Sequence, residues 1–286
     1  RLPVRKAGEP ALGFQRVADG VPEVQVRPFA GLALVGEDSG RAFELHPWQL
    51  WTLSNIVGWR LADGRRRCRL ALVQVARGNG KTTLMAGLAL WDLLAGDGRR
   101  VHVIANNEDQ AEICLNTART MAARLEDPTL LVRFNRIVRP AADCEMTALP
   151  ALERSLDGLN PSLWIADEAA EFKGRFLTKL LTTGAKRKES TGVIITTPGS
   201  NPENHYAELV KQGEAILSGE LDDDTVIPIL YGLDPTDALD DEANWPKANP
   251  GLEHGHGLVP QLPPVEQFRG LDVDVGGHRA GGQRLA

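Results

Sequence analysis

Ala76-Arg77-Gly78-Asn79-Gly80-Lys81-Thr82-Thr83 is the stretch whose reading decides the fold. Residues 70–76, just before it, form a short apolar run and read as a buried strand. Residues 81–94, just after it, lack Pro, are rich in good helix formers and read as a helix. A glycine-rich turn between a strand and a helix is the context that a phosphate-binding loop requires. Glycines let backbone N–H groups turn towards phosphate oxygens, and the helix N-terminus adds its positive dipole end. Lys81 would reach the β- and γ-phosphates as a point charge, and Thr82 would place a hydroxyl on Mg²⁺. The common pattern has a further glycine five positions before Gly80, where this chain has Val75. A bare Gly-Lys-Thr could also be an ordinary strand-to-helix turn.

Outward from this loop, short apolar runs alternate with helical stretches. Strands are expected at 101–105, 163–166, 193–197 and 225–230, and helices at 46–62, 109–125, 176–188 and 202–217. Residues 130–138 and 144–149 read as a hairpin or further strands. The alternation predicts an α/β fold, a mostly parallel central sheet flanked by helices on both faces. Residues 1–45 read as an irregular lead-in with one or two strands. The Gly- and Pro-rich tail from about residue 251 reads as poorly ordered.

Composition narrows the class. The 286 residues are 42% hydrophobic and 24% charged, with a formal net charge of -6. That is an ordinary globular composition, and an acidic total argues against a surface that grips nucleic acid all over. Cys68, Cys114 and Cys144 show no paired spacing, so neither a disulfide scaffold nor a zinc site is expected. No apolar run of about 18 residues exists to cross a membrane. His254-Gly255-His256 lacks the partners a metal site needs.

Leu163-Trp164-Ile165-Ala166-Asp167-Glu168 is an apolar run ending in two acids. In open α/β sheets ligands bind at the carboxyl ends of the strands, which is where these acids fall. Asp167 would hold Mg²⁺ with Thr82, and Glu168 would orient and activate the attacking water. Alone, the pair could equally cap the start of a helix.

Four further features, and a fifth in the second strand, give the chain a family likeness. The deviant loop Arg77-Gly78-Asn79-Gly80-Lys81-Thr82, with its internal arginine, resembles that of the large terminase subunits of tailed bacteriophages. Pro47-Trp48-Gln49 resembles their adenine-recognition segment. Thr196-Thr197, ending an apolar strand, resembles their coupling motif. Asn244-Trp245-Pro246-Lys247-Ala248-Asn249-Pro250 resembles the segment that follows their ATPase core, and residues 105–111 fit their second-strand motif. The likeness spans roughly residues 43–250.

The resemblance implies a P-loop NTPase of the additional-strand type. It implies ATP and Mg²⁺ as cofactors and a motor that moves double-stranded DNA into a procapsid. The nucleotide site would comprise Gln49 on the adenine and Arg77, Gly78, Asn79, Gly80, Lys81, Thr82 and Thr83 on the phosphates. Glu168, Arg77 and Lys81 would carry catalysis, Thr82 and Asp167 the metal, and Thr196 and Thr197 the coupling. Arg154 is the candidate for an arginine donated to a neighbouring subunit. Implied partners are DNA, the phage portal and procapsid, the small terminase subunit and further copies of this chain in a ring, within the host cytoplasm. The expected organisation is a lead-in over 1–42, the ATPase over 43–235 and a linker or tail over 236–286. No nuclease activity is expected, because Asp272 and Asp274 have no further sheet to hold metals. Arg65-Arg66-Arg67 and Lys186-Arg187-Lys188 are the densest basic runs. They read either as DNA-phosphate contacts or as solvated faces. The rival enzyme reading is a helicase-like translocase, which would need further motifs after residue 200. The rival non-enzyme reading is a phage remnant that binds nucleotide without turnover.

Overall fold

A computed structural model of the chain describes residues 41, 43–173, 175–198, 204–234, 236–238 and 240–252. In chain order the elements are α1 (Pro47–Leu53), β1 (Leu70–Gln74), α2 (Lys81–Leu94), β2 (Arg100–Ala105) and α3 (Glu108–Arg124). Then come β3 (Leu131–Val132), β4 (Arg136–Arg139), β5 (Cys144–Pro150), β6 (Leu163–Asp167) and α4 (Phe176–Leu181). The last are β7 (Thr191–Thr196), α5 (His205–Ser218), β8 (Val226–Leu230) and α6 (Trp245–Ala248).

The strands form one sheet of eight in the order β3-β4-β5-β2-β6-β7-β1-β8. From β5 to β8 every pairing is parallel, and the β3–β4–β5 end is antiparallel. The strand that follows the acidic pair, β7, lies between β1 and β6. That insertion is the additional strand expected from the resemblance.

Side chains alternate along each strand, so each strand feeds two cores. Ala71, Val73, Val101, Val103, Leu163, Ile165, Val193 and Ile195 share one apolar cluster with α1, α2 and α3. Leu72, Ile104, Trp164, Ala166 and Ile194 share the other with Phe176, Leu177, Leu180 and Tyr206 of α4 and α5. Near-continuous apolar runs such as Leu163-Trp164-Ile165-Ala166 are what a strand covered on both faces needs.

Two expected helices are shorter than their sequence suggested. The helix from 46 to 62 ends at Gly58, where a π turn over Ser54–Gly58 closes it. Trp59 is extended, and its carbonyl accepts the Arg67 amide. The helix from 176 to 188 stops at Leu181. Gly184 follows at φ +82, and a Cβ there would stand 2.3 Å from Ser190 Oγ. Only glycine fits a left-handed turn packed that closely. The strands expected before residue 41, the 254–256 histidines and Asp272 and Asp274 lie outside the described residues.

The two basic runs meet at the amino edge of the sheet, the edge opposite the glycine-rich loop. Arg66 is 2% exposed. It donates to Asp92 Oδ1 at 2.5 Å and Glu189 Oε1 at 3.1 Å, and Ser162 donates to Asp92 Oδ2 at 2.6 Å. Arg67 lies over the Trp59 ring, 5.0 Å from its centroid. Arg187 donates to the backbone carbonyls of Gly98 and Asn160. Neither run is a simple solvated face, and Arg66 is committed to the fold.

Candidate active site

Because β1, β6 and β7 run parallel, their carboxyl ends share one edge. Asp167 pairs in register with Ile195, and the next residue of β7, Thr196, pairs with Gln74. This brings together the glycine-rich loop after β1, the acids at the end of β6 and the threonines at the end of β7.

The loop has the backbone of an anion cradle. Gly78 and Gly80 take φ of +81 and +70, conformations that cost other residues but not glycine. Gly80 also forms the N-cap of α2. Lys81 is the first residue of that helix. Its Nζ lies 3.4 and 3.3 Å from the carbonyl oxygens of Val75 and Ala76 and 3.9 Å from Glu168 Oε1. Burial lowers the Lys81 pKa, the charges of Glu168 and Asp167 oppose this, and Arg77 adds to it. Arg77 is exposed in the turn, and Thr82 and Thr83 are half-buried in the first turn of α2.

Asp167 ends β6 as a buried carboxylate. Burial and then the Glu168 charge raise its pKa to about 6, with Lys81 pulling the other way. A buried anion beside another anion is under-compensated by one lysine and calls for a further cation. Among the described residues no group of three or more His, Cys, Asp or Glu side chains forms a metal site. Asp167 and Thr82 supply one carboxylate and one hydroxyl, oxygen donors of the kind that suit a hard cation such as Mg²⁺.

Glu168 turns the chain sharply. Its φ of +51 and ψ of +41 lie in the left-handed region, unusual for a residue with a side chain. Its amide donates to Ile195 O at 2.9 Å. Its Oε2 accepts from the Thr197 hydroxyl at 3.1 Å, the Thr197 amide at 3.3 Å and the Thr196 hydroxyl at 3.3 Å. The carboxylate is therefore gripped from β7 on one oxygen and faces Lys81 with the other.

Gln49 is buried on α1, where its Oε1 accepts the His46 amide at 3.0 Å and caps the helix start. Neighbouring Trp48 packs edge-on against Tyr231 with ring centroids 6.0 Å apart, and the Tyr231 amide bonds Gln74 O. This holds the Pro47-Trp48-Gln49 segment beside the end of β1. Arg154 is exposed on a single turn after β5, away from the loop in the strand order.

Two residues at this edge, Gln74 and Tyr206, escaped the sequence reading, and a third, Asn249, was read without its contact. The Tyr206 hydroxyl donates to Gln74 Oε1 at 2.6 Å. Burial and then the nearby Glu168 charge push the Tyr206 phenol up. Asn249 bonds the loop through Asn79 Nδ2 at 3.0 Å. Gln74 and Tyr206 carry no local signal, since each gains meaning only from the other. The Asn249 segment was noticed by family likeness, without its contact.

Comparison with known proteins agrees with this geometry. The family described as terminase large subunit, ATPase domain, matches residues 47–215. The terminase large subunit of Enterobacteria phage HK97 is 25% identical over 194 residues, which cover 64% of this chain and 37% of that protein. The crystal structure of the HK97 bacteriophage large terminase superposes with a TM-score of 0.67 at 22% identity, over 79% of this chain and 47% of that one. The chain thus spans less than half the length of these relatives. With residues 47–215 matched and the loop, acids and threonines assembled on one sheet edge, the chain belongs to the family of terminase large subunit ATPase domains.

Proposed function

We propose that the chain hydrolyses ATP at the carboxyl edge of its sheet, and that hydrolysis drives double-stranded DNA into a phage procapsid. The observation that carries this is the position of Glu168. One carboxylate faces the lysine of the phosphate loop and is gripped by the end of the next strand. That is where a residue must sit to act on the terminal phosphate and to report its loss.

The loop amides around Gly78, Asn79 and Gly80, with the α2 N-terminus, bind the β- and γ-phosphates. Lys81 supplies a point charge to the same oxygens, and Thr83 extends the first turn behind it. Thr82 and Asp167 would hold Mg²⁺, which would supply positive charge to offset that of the phosphates. Glu168 accepts a hydrogen bond from the attacking water and aligns it. Arg77, exposed in the loop, stabilises charge on the transferring phosphoryl group in cis. Gln49 reads the adenine; its Nε2 donors and second carbonyl lone pair remain for a base edge. Thr196 and Thr197 sense the Glu168 carboxylate and pass the change to α5, whose N-cap Asn204 donates to Ala170 O just beyond it.

The same reading assigns Arg154 to a neighbouring subunit's site in a ring of copies. Exposure and distance from its own loop support a role in trans. The portal, procapsid and small terminase subunit are then its partners, in the host cytoplasm. Among the described residues no helix is long and apolar enough to cross a membrane.

The test is steady-state ATP hydrolysis with Mg²⁺ across protein concentrations, for wild type and Arg154→Ala. Turnover per chain that rises with concentration, and fails to rise in the variant, supports a ring with a donated arginine. Turnover independent of both overturns the trans assignment. Absence of turnover at every concentration, with ATP bound, favours a nucleotide-binding remnant.

A further inference from the structure

The phosphate loop is held from a second side by a segment that touches none of the reacting groups. The Ala76 amide donates to Ala248 O at 3.3 Å. Asn79 Nδ2 donates to Asn249 Oδ1 at 3.0 Å, a buried contact between residues 170 apart in sequence. The same Nδ2 lies 3.1 Å from Ala76 O and 3.4 Å from Arg77 O. One amide group therefore stitches the loop to itself and to Asn249. Gly251 closes the contact, since a Cβ there would stand 3.3 Å from Asn79 Oδ1 and 3.9 Å from Trp48 Nε1.

The segment is itself anchored. The Asn249 amide and Nδ2 both donate to Trp245 O, at 3.0 and 3.2 Å. Lys247 pairs with Asp234 at 2.9 Å and Asp237 at 2.7 Å. It is thus tied to the stretch after β8 at one end and to the phosphate loop at the other.

A loop containing two glycines loses much conformational freedom when it closes on phosphates. Holding it in shape beforehand lowers that cost and tightens binding. We infer that Asn249 is a positioning residue for the phosphate loop, and that residues 245–251 form a latch through which nucleotide state leaves the sheet. The second clause follows from reciprocity. If the latch favours the loop shape that binds nucleotide, nucleotide must stabilise the latch by the same factor. The latch bonds the loop at Ala76 and Asn79, a different side from Glu168, Thr196 and Thr197, and the two routes meet at Lys81, whose Nζ lies by both Ala76 O and Glu168 Oε1. The inference rests on the nucleotide-binding reading of the loop.

Hydrogen exchange and ATP kinetics on the full chain test it, in wild type, Asn249→Ala, Asn79→Ala and the double variant. Without nucleotide, Asn249→Ala is expected to speed exchange of the amides of residues 76–80 by about tenfold, the worth of one buried hydrogen bond. It is expected to raise KM for ATP by about tenfold while leaving kcat within about twofold, as loss of ground-state binding should. The double variant should bind ATP no worse than Asn79→Ala, because the two residues act as a pair. In wild type, ATP should slow exchange over residues 245–252, a result independent of any variant's folding. Unchanged loop exchange in Asn249→Ala, additive losses, or a fall in kcat with KM unmoved would each overturn the latch. If wild type binds no ATP, the nucleotide reading fails, and exchange without nucleotide still decides whether Asn249 holds the loop.

Discussion

Thr197 donates twice to a single oxygen of Glu168, through its hydroxyl at 3.1 Å and its amide at 3.3 Å. The contact spans β6 and β7, so the orientation of the proposed water-activating carboxylate depends on the strand that follows it. A carboxylate gripped on one oxygen presents the other in a defined direction, and small misplacements of a catalytic group cost rate steeply.

Thr197→Val keeps the branched shape, removes the hydroxyl and leaves the amide. A fall in kcat of about tenfold is expected, with KM for ATP within about twofold, since the proposed phosphate contacts, on the loop and Lys81, lie elsewhere. Steady-state kinetics check this. A variant that loses affinity at unchanged kcat would show that Thr197 serves binding.

Gly192→Ala should destabilise the fold without touching the site. Gly192 is in register with Trp164 on the neighbouring strand. A Cβ there would stand 2.0 Å from Trp164 Cζ2, in the core between the sheet and α4 and α5. Overpacking of this kind costs about 1–3 kcal/mol, and the rigid indole has little room to give. Urea unfolding should show a lower midpoint at unchanged slope. A midpoint equal to that of wild type would mean the ring swings aside freely.

Much of this arrangement was legible in sequence. The loop, its strand and its helix are local, so Gly78 to Thr82 could be read from their neighbours alone, and α2 begins and ends where its residues suggested. Asp167 and Glu168 were legible because an apolar run ended in acids. Helix ends were less so. Nothing in the periodicity of residues 46–62 or 176–188 announces that Trp59 pairs with Arg67 or that Gly184 must fit under Ser190. Contacts across strands were hidden altogether. Gly192 under Trp164, Asn79 on Asn249 and Arg66 on Asp92 each join residues that only the assembled sheet brings together. Arg66 looked like one of three surface arginines because its buried partner lies on another element.

The Arg66 cluster also predicts an acid response. Burial would raise the Glu189 carboxyl from its usual 4.5, but the Arg66 guanidinium, two hydrogen bonds from Arg66 and the Arg99 charge outweigh it and hold it at about 2. The folded state therefore binds this proton less readily than the unfolded state. Its stabilisation is complete above about pH 4.5 and is lost as pH falls towards 2. Glu189→Gln should flatten the decline in stability across that window relative to wild type, measured by denaturant unfolding at several pH values. Parallel curves for the two proteins would contradict the assignment.

The most direct measurement of the central claim compares ATP binding and phosphate release by wild type, Glu168→Gln and Lys81→Ala with Mg²⁺. Glu168→Gln preserves size and one acceptor oxygen for Thr196 and Thr197 but removes the charge that aligns water. It is expected to bind ATP within about threefold of wild type and to release phosphate at least about 100-fold more slowly, the scale of a lost general base. Lys81→Ala is expected to lose binding itself. Phosphate release by Glu168→Gln at the wild-type rate would contradict the account, because hydrolysis would then not depend on the carboxylate held between Lys81 and Thr197.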